Sequence, residues 1–521
     1  MTALYVLIGL NYFFLLMGAV AALLLTASFS RKQRIQYPAL RLLDGRQLSL
    51  TIAAILFFAL GYVVYGLKEA VLLRRSFEIV PGPGTSQTVQ ATGTSIDLEL
   101  TERAAHQANE ARESFNTGQG HFKAGRYREA ADDYQRSVDA LPTLSAVLNH
   151  ALSLRYLPDY RAAERALRIG SRLASEQHRE RFEAHFSLYL SSVLIGQAKY
   201  SEADIVVTKA LKIYERLDDD FGKANSHLNM GIIAQSRGAF ATANAEWKKA
   251  FGDFQRADNN LGQANAIHNL GGLCLLRMQF AAAAVAFDRA IKLYQVIDNR
   301  TGVARASNGL ALVFINQGRL TEALTLCRHS FDIAVTDKEM RSRALSLIGI
   351  VRDEQGKFEE SKQAGLAALQ LARDIGASDE EAFAEIELSS AFSDLGRARD
   401  AYDHAMRAID IYTQGNDLPS LSIAFCNVGI NYFYGNQLSN AADAFHKALA
   451  IADPNGFLFA QSIASAGLGM TEAALGHRER ALQLLIPAHR SFLRAGVNIE
   501  FSRRVERSIA RLLSKGTDSR K

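Results

Sequence analysis

The sequence predicts an all-α protein made of about ten stacked helical hairpins behind a two-helix transmembrane anchor. Three observations lead to this prediction. The 521 residues include only eight prolines and one tryptophan, and 48% of them are apolar and 22% charged, which is typical of a helical globular protein and excludes wholesale disorder. Small residues recur along the chain at a spacing of 40. Two long uncharged segments lie near its start.

The first uncharged segment predicts a transmembrane helix over residues 3–27. No charged side chain precedes Arg31, and about 20 apolar residues cross a hydrocarbon core of roughly 30 Å. A cleavable signal peptide is the alternative, but such a peptide begins with basic residues and has a shorter apolar stretch. A second uncharged window between Arg46 and Lys68 predicts another transmembrane helix over residues 49–67. We therefore expect an integral protein of the bacterial inner membrane.

The positions of the basic residues indicate an orientation. The predicted loop 28–48 carries five of them, against three after the second span, Lys68, Arg74 and Arg75. Because cytoplasmic loops hold the excess of Lys and Arg, we place this loop in the cytoplasm and favour a periplasmic over a cytoplasmic location for the rest. A linker and a lead-in helix are expected over residues 76–110. From residue 81 onward the two signs balance at 51 each, which argues against nucleic-acid binding.

The remainder of the chain is an internal repeat. One alanine series follows the spacing of 40 in two runs, and a second series lies seven residues later, with both series shortened by two residues at the same place. A glycine or another small residue precedes each pair, and a turn residue separates the two predicted helices. One hairpin cannot bury its own apolar face, whereas a stack of hairpins can. The two series are Ala203, Ala243, Ala283, Ala323, Ala401, Ala441 and Ala481, and then Ala210, Ala250, Ala290, Ser330, Ala368, Ala408, Ala448 and Ala488.

This pattern resembles the tetratricopeptide repeat. The first unit matches the 34-residue form at Gly118, Gly125, Tyr127, Ala130, Tyr134 and Pro142. From Tyr200 onward the 40-residue period is similar to the longer repeats of kinesin light chains, Pins-type polarity adaptors and bacterial Rap-type regulators. The resemblance implies a right-handed α-α superhelix, a tetratricopeptide solenoid, over residues 111–495. A capping helix is predicted over 496–514, where Phe501, Val505, Ile509 and Leu512 share one face.

The resemblance also implies where a ligand binds. In this family the first helix of each unit lines the concave surface, and positions two and six residues before the central glycine point into it. Amides at such places can hold the backbone of an extended peptide, and arginines favour an acidic ligand. An alternative is that the amides only satisfy helix-end carbonyls or water. The predicted peptide-binding residues are Asn225, Asn229, Asn265, Asn269, Arg305, Asn308, Arg343 and Asn427.

No catalytic, cofactor or metal site is predicted. The sequence contains no zinc-protease, serine-hydrolase or paired-cysteine motif, and the repeats leave no stretch of domain size unassigned. We expect no enzyme activity but a membrane-anchored scaffold that binds a peptide or partner protein in its concave groove, in cell-envelope assembly or secretion. The alternative is a cytoplasm-facing regulatory sensor that responds to a signalling peptide.

Overall fold

The structure is a computed structural model that describes residues 95–157 and 159–518. These residues form twenty-one α-helices and no strand, so the predicted all-helical solenoid is confirmed. The helices are α1 (Ser95–Lys123), α2 (Tyr127–Ala140), α3 (Leu144–Tyr156), α4 (Tyr160–Glu176), α5 (Glu180–Gly196), α6 (Tyr200–Arg216), α7 (Asp220–Ser236), α8 (Phe240–Arg256), α9 (Asn260–Leu276), α10 (Phe280–Val296), α11 (Arg300–Asn316), α12 (Leu320–Ile333), α13 (Lys338–Glu354), α14 (Phe358–Ile375), α15 (Ser378–Asp394), α16 (Ala398–Gln414), α17 (Leu418–Tyr434), α18 (Leu438–Asn455), α19 (Leu458–Ala474), α20 (Arg478–Ala495) and α21 (Glu500–Asp518).

The described residues belong to two compact units. Residues up to Phe115 form the first together with Arg136–Ala146, and the second consists of Asn116–Gln135 and the chain from Val147 onward. In the first unit the Ser137 hydroxyl donates to the carbonyl of Ala111 at 2.8 Å. All candidate site residues lie in the second unit.

Short connections join the helices of the second unit, and several of these helices begin at a capping Asp or Asn. Before α7, the Asp219 carboxylate accepts a hydrogen bond from the Gly222 N–H at 2.9 Å, which caps the helix. A Cβ on Gly222 would lie 2.1 Å from the ring of Tyr214, so glycine lets this ring of α6 pack on the backbone of α7. The same arrangement recurs at Asn259, Gly262 and Phe254, and at Asn299, Gly302 and Tyr294.

The helices of the second unit form two layers. From α5 to α21, each odd-numbered helix contacts the next odd-numbered helix, whereas the described even-numbered helices make no comparable contacts with one another. We call α5, α7, α9, α11, α13, α15, α17 and α19 the inner helices, and their side away from the even-numbered helices the inner face. Aromatic side chains of the outer layer fill the space between the layers: Trp247 packs against Gly231, Phe287 against Gly271 and Phe445 against Gly429.

Hairpins far apart in sequence also touch. The Asn498 N–H donates to the Asn316 carbonyl at 2.7 Å, and the rings of Phe240 and Phe457 lie 5.9 Å apart. One buried apolar cluster joins Met278 to Val505. The turns after α7 and α11 therefore rest on the connections after α18 and α20, and the second unit closes on itself.

The predicted membrane location needs correction. Within residues 95–157 and 159–518, no helix has the length and apolar character to cross a bilayer. Even the longest, α1, contains Asp97, Glu99, Glu102 and Arg103 in its first turns. This finding contradicts the prediction of an integral inner-membrane protein with a periplasmic array. The proposed spans at residues 3–27 and 49–67, the loop between them and the linker before Ser95 lie outside the described residues.

Candidate functional site

The eight predicted binding residues all lie on inner helices. Asn225 and Asn229 are on α7, Asn265 and Asn269 on α9, Arg305 and Asn308 on α11, Arg343 on α13 and Asn427 on α17. The repeat places them at related positions because the inner helices begin at corresponding residues of the repeating unit. Their hydrogen-bond partners, however, differ from one helix to the next.

Asn229 connects two inner helices. Its amide nitrogen lies 2.7 Å from the Ser191 hydroxyl and 2.9 Å from the Ser192 hydroxyl on α5, and the side chain is buried. Asn431 of α17 makes an equivalent contact with Ser389 of α15 at 2.8 Å. Sequence analysis missed this second tie, although serine replaces the usual central glycine at both positions 191 and 389. Both asparagines therefore hold the solenoid together.

Arg305 of α11, Asn265 of α9 and the hydroxyl of Tyr294 of the outer helix α10 form a polar group that links two neighbouring inner helices, which we call the Arg305 cluster. Arg305 Nη2 donates to Asn265 Oδ1 at 2.7 Å and lies 2.7 Å from the Tyr294 hydroxyl, and this hydroxyl donates to Asn265 Oδ1 at 2.6 Å. Arg305 is exposed, and no acidic side chain of the described chain pairs with it. Its orientation is fixed while most of its donors stay open.

His268 lies beside this cluster as a neutral group. Burial, together with the charge of Arg305, lowers the pKa of His268 to about 3. Its ring is 5.3 Å from that of Phe287, and its Nδ1 is buried without a hydrogen-bond partner among the described residues. Arg305 is therefore the cation of this part of the inner face at neutral pH.

Arg343 is engaged by the next inner helix. Its Nη2 donates to Glu380 Oε1 at 2.7 Å, and its Nε lies 2.7 Å from Glu380 Oε2. The guanidinium also lies 4.0 Å from the centre of the Phe383 ring. Burial and the nearby Glu380 raise the pKa of Glu339. Because a buried carboxylate already occupies its donors, Arg343 differs from Arg305 despite their equivalent positions.

The remaining predicted amides vary in their contacts. Asn225 donates to the Phe221 carbonyl of its own helix at 2.8 Å. Asn308 donates to the Met340 carbonyl at 3.3 Å, while its Oδ1 is buried without a described partner. Asn269 and Asn427 are half-buried and make no hydrogen bond within the described chain. These last two amides keep their full hydrogen-bonding capacity.

Two inner helices, α13 and α15, also end in acidic residues that sequence analysis missed. We call Asp353 and Glu354 of α13 and Asp394 of α15 the acidic patch. Burial and the neighbouring charges of Asp394 and Glu354 raise the pKa of Asp353 to about 7. Burial also raises the pKa values of Glu354 and Asp394. The sequence signal was the presence of acids at matching places, four and five residues after the centre of consecutive inner helices.

No group of three metal-ligating side chains lies together in the part of the chain that the structure describes. Cys327 and Cys426 are buried, and burial raises the pKa of the Cys327 thiol to about 12, so it is not a thiolate at neutral pH. The inner helices present an exposed arginine, several amides and a patch of carboxyl groups.

Comparison with protein families supports the repeat assignment. Residues 302–374 match the tetratricopeptide repeat family model, a segment that contains Arg305, Arg343, Asp353 and Glu354 but not Asp394. Comparison with curated proteins finds no match.

Solved structures with a similar fold include a Rap protein complexed with competence and sporulation factor. It is 14% identical, and the alignment covers 68% of this chain and 98% of that chain with a TM-score of 0.52. The apo form of the quorum sensor NprR from B. thuringiensis is 15% identical over 67% and 98% of the two chains, with a TM-score of 0.45. BtubC from P. vanneervenii is 20% identical over 42% and 90%, with a TM-score of 0.33. The first similarity is one of fold, and the chain is a tetratricopeptide-type solenoid.

Proposed function

We propose that this chain is a binding protein rather than an enzyme, and that its inner face holds a peptide or a segment of a partner protein. The Arg305 cluster carries this proposal. Its guanidinium is exposed, has no acidic partner in the described chain, and is held in place by Asn265 and Tyr294. An arginine kept in one orientation without a counter-ion is suited to a carboxylate that arrives with a ligand.

The chemistry of the guanidinium specifies the ligand group. Arginine has five N–H donors in a planar fork, and Nη2 alone serves both internal contacts. The other donors match the two oxygens of an Asp or Glu side chain, or of a chain-terminal carboxylate. Asn269 and Asn427 add unoccupied amides elsewhere on the inner face, which suit the N–H and C=O groups of a ligand backbone.

A peptide-responsive sensor is the second candidate function. The similarity of fold to the Rap protein solved with competence and sporulation factor favours it. The contacts between remote hairpins favour it as well, because the Asn498–Asn316 hydrogen bond and the Phe240–Phe457 contact would change if a ligand altered the spacing of the inner helices. The two candidates share one binding surface and differ in whether the solenoid moves.

Selection from a random dodecapeptide library tests the binding proposal. We expect the full chain to enrich peptides that contain Asp or Glu, and titration calorimetry to show a loss of affinity of at least about tenfold in Arg305→Met, the effect of one charge-assisted hydrogen bond. The matched control is Arg328→Met, which removes an exposed arginine from the outer helix of the same hairpin.

Enrichment of no peptide, or equal affinity of both variants, would refute the Arg305 site. Small-angle scattering with and without a selected peptide separates the candidates. A sensor changes its radius of gyration, whereas a scaffold does not.

A further inference from the structure

The first turns of α21 are placed against the acidic patch. The Glu500 N–H donates to Glu354 Oε2 at 2.9 Å, and Arg503 Nη2 lies 3.7 Å from the same oxygen. Arg504 lies 4.9 Å from the centre of the Tyr434 ring and donates to its hydroxyl. These partners belong to α13 and α17, which precede α21 in the chain by several helices.

Capping alone does not require these contacts. A capping helix covers the exposed side of the last hairpin, and α21 does so by packing on α20 and α19, with Val505 fully buried. The charged side chains near its N-terminus reach past the last hairpin to α13 and α17. The helix therefore has an apolar side that covers the last hairpin and a basic side that contacts α13 and α17.

Glu500 partly neutralises the positive charge of the basic side of α21. Its carboxylate lies 3.1 Å from Arg503 Nε, 3.1 Å from Arg504 Nε and 2.5 Å from Arg507 Nη2. The arginines that face the acidic patch thus share their charge with an acid of their own helix. In the acidic patch, Asp353 Oδ1 is buried without a hydrogen-bond partner among the described residues.

We propose that the acidic patch, with Tyr434, is a receptor for an arginine-bearing amphipathic helix of a partner protein, and that α21 occupies it as a displaceable internal ligand. A partner helix with arginines at the places of Arg503 and Arg504, and with no acid at the place of Glu500, presents more free charge to Asp353, Glu354 and Asp394. It also supplies an apolar residue in place of Val505, so the cap is replaced rather than lost.

A pair of synthetic peptides tests this exchange on the full-length chain. One has the sequence of residues 498–514, and the other carries the change Glu500→Gln. Fluorescence anisotropy measures the binding of each labelled peptide. We expect the Glu500→Gln peptide to bind about tenfold more tightly than the unchanged peptide, the effect of one charge-assisted hydrogen bond that is no longer shared.

Hydrogen exchange measures the displacement itself. The chain is labelled with ¹⁵N, so that its fragments are distinguished by mass from those of the added peptide. Amides of residues 500–512 should exchange faster at saturating Glu500→Gln peptide. Continued protection of these amides, or no binding of either peptide, would overturn the proposal and leave α21 a plain cap.

Two chain variants locate the receptor. Glu354→Gln is expected to abolish the difference between the peptides, whereas Glu359→Gln, which changes an exposed acid on α14, is expected to preserve it. An unchanged difference in a folded Glu354→Gln chain, with native helix content by circular dichroism, would also sink the proposal. The inference extends the proposed binding role to a second surface. Arg305→Met keeps the acidic patch, so it should bind both peptides normally whatever the outcome of the library selection.

Discussion

The carboxyl group of Glu387 occupies the space that Gly365 leaves open in the preceding hairpin. A Cβ on Gly365 would lie 1.8 Å from Glu387 Oε2. In three other hairpins the equivalent outer-helix position is Trp247, Phe287 or Phe445. The Ser361 hydroxyl donates to Glu387 Oε1 at 2.8 Å, while Oε2 has no described partner. Burial raises the pKa of Glu387 well above its ordinary value, so a neutral acid takes the place of an aromatic ring.

This acid makes stability depend on pH. Unfolded Glu and Asp release their protons near pH 4.3 and pH 3.9, approximately, whereas folded Glu387 keeps its proton to a much higher pH and Asp353 to about 7. Their favourable contribution is complete below the unfolded values and is lost as the pH rises through the folded values. We expect the contribution of each group to decline by about 1.4 kcal/mol for each unit of its pKa shift, measured by urea unfolding from about pH 4 to pH 8.

Glu387→Gln provides the comparison for this titration. The amide keeps the size of the side chain and has no proton to lose, so the variant should gain stability relative to the natural chain as the pH rises. Other buried acids titrate in both proteins, and only the difference between the two curves reports Glu387. If the difference in unfolding free energy between the two chains stayed constant over the whole pH range, Glu387 would not be a neutral acid in the folded chain.

Asn229 and Asn269 should differ in their effect on stability. Both are inner-helix amides at equivalent positions, but only Asn229 bonds to Ser191 and Ser192. We expect Asn229→Ala to lower the free energy of unfolding by about 1–3 kcal/mol, because it removes the hydrogen bonds that join α7 to Ser191 and Ser192 of α5. Asn269→Ala should change it by less than about 0.5 kcal/mol. Equal losses in chemical denaturation would show that the inter-helix tie contributes nothing specific.

The hairpins were predictable because their signal repeats. Small residues such as Ala243 and Ala283 must recur wherever two helices approach closely, and turn residues such as Gly238 must recur wherever the chain reverses. The contacts between remote hairpins had no such signal. Asn316 and Asn498 meet only because the curvature of several hairpins adds up, and that curvature is not encoded by any single residue.

The positions of the candidate site residues were predictable, but whether their side chains are free to bind a ligand was not. The repeat register placed Arg305 and Arg343 at equivalent points of successive inner helices. Whether each guanidinium is open depends on residues from other helices, Tyr294 in one case and Glu380 in the other. These partners lie at different sequence separations, so the register alone could not distinguish an available arginine from an occupied one.

Arg343 should therefore be a stability residue. Removing it by Arg343→Met leaves Glu380 buried beside Asp379 without its cation, and loss of one partner of a buried pair costs about 3–5 kcal/mol. The double variant Arg343→Met/Glu380→Met should recover most of this loss, because an apolar pair needs no hydration. Arg305→Met should unfold like the natural chain within about 0.5 kcal/mol. Guanidinium denaturation measures all three, and a neutral Arg343→Met would show that the pair is not structural.

Closure of the second unit can be tested at two equivalent turns. Gly318 and Gly356 both have left-handed backbone, with φ of 72° and 73°, so alanine at either place costs about 1–2 kcal/mol in local strain. A Cβ on Gly318 would also lie 2.7 Å from the Asn498 carbonyl oxygen, whereas nothing lies within 4 Å of a Cβ on Gly356. We expect Gly318→Ala to destabilise the chain more than Gly356→Ala and to increase hydrogen exchange at the Asn498 amide, which donates to Asn316. Equal stabilities with a protected Asn498 amide would mean that the remote hairpins do not hold each other in solution.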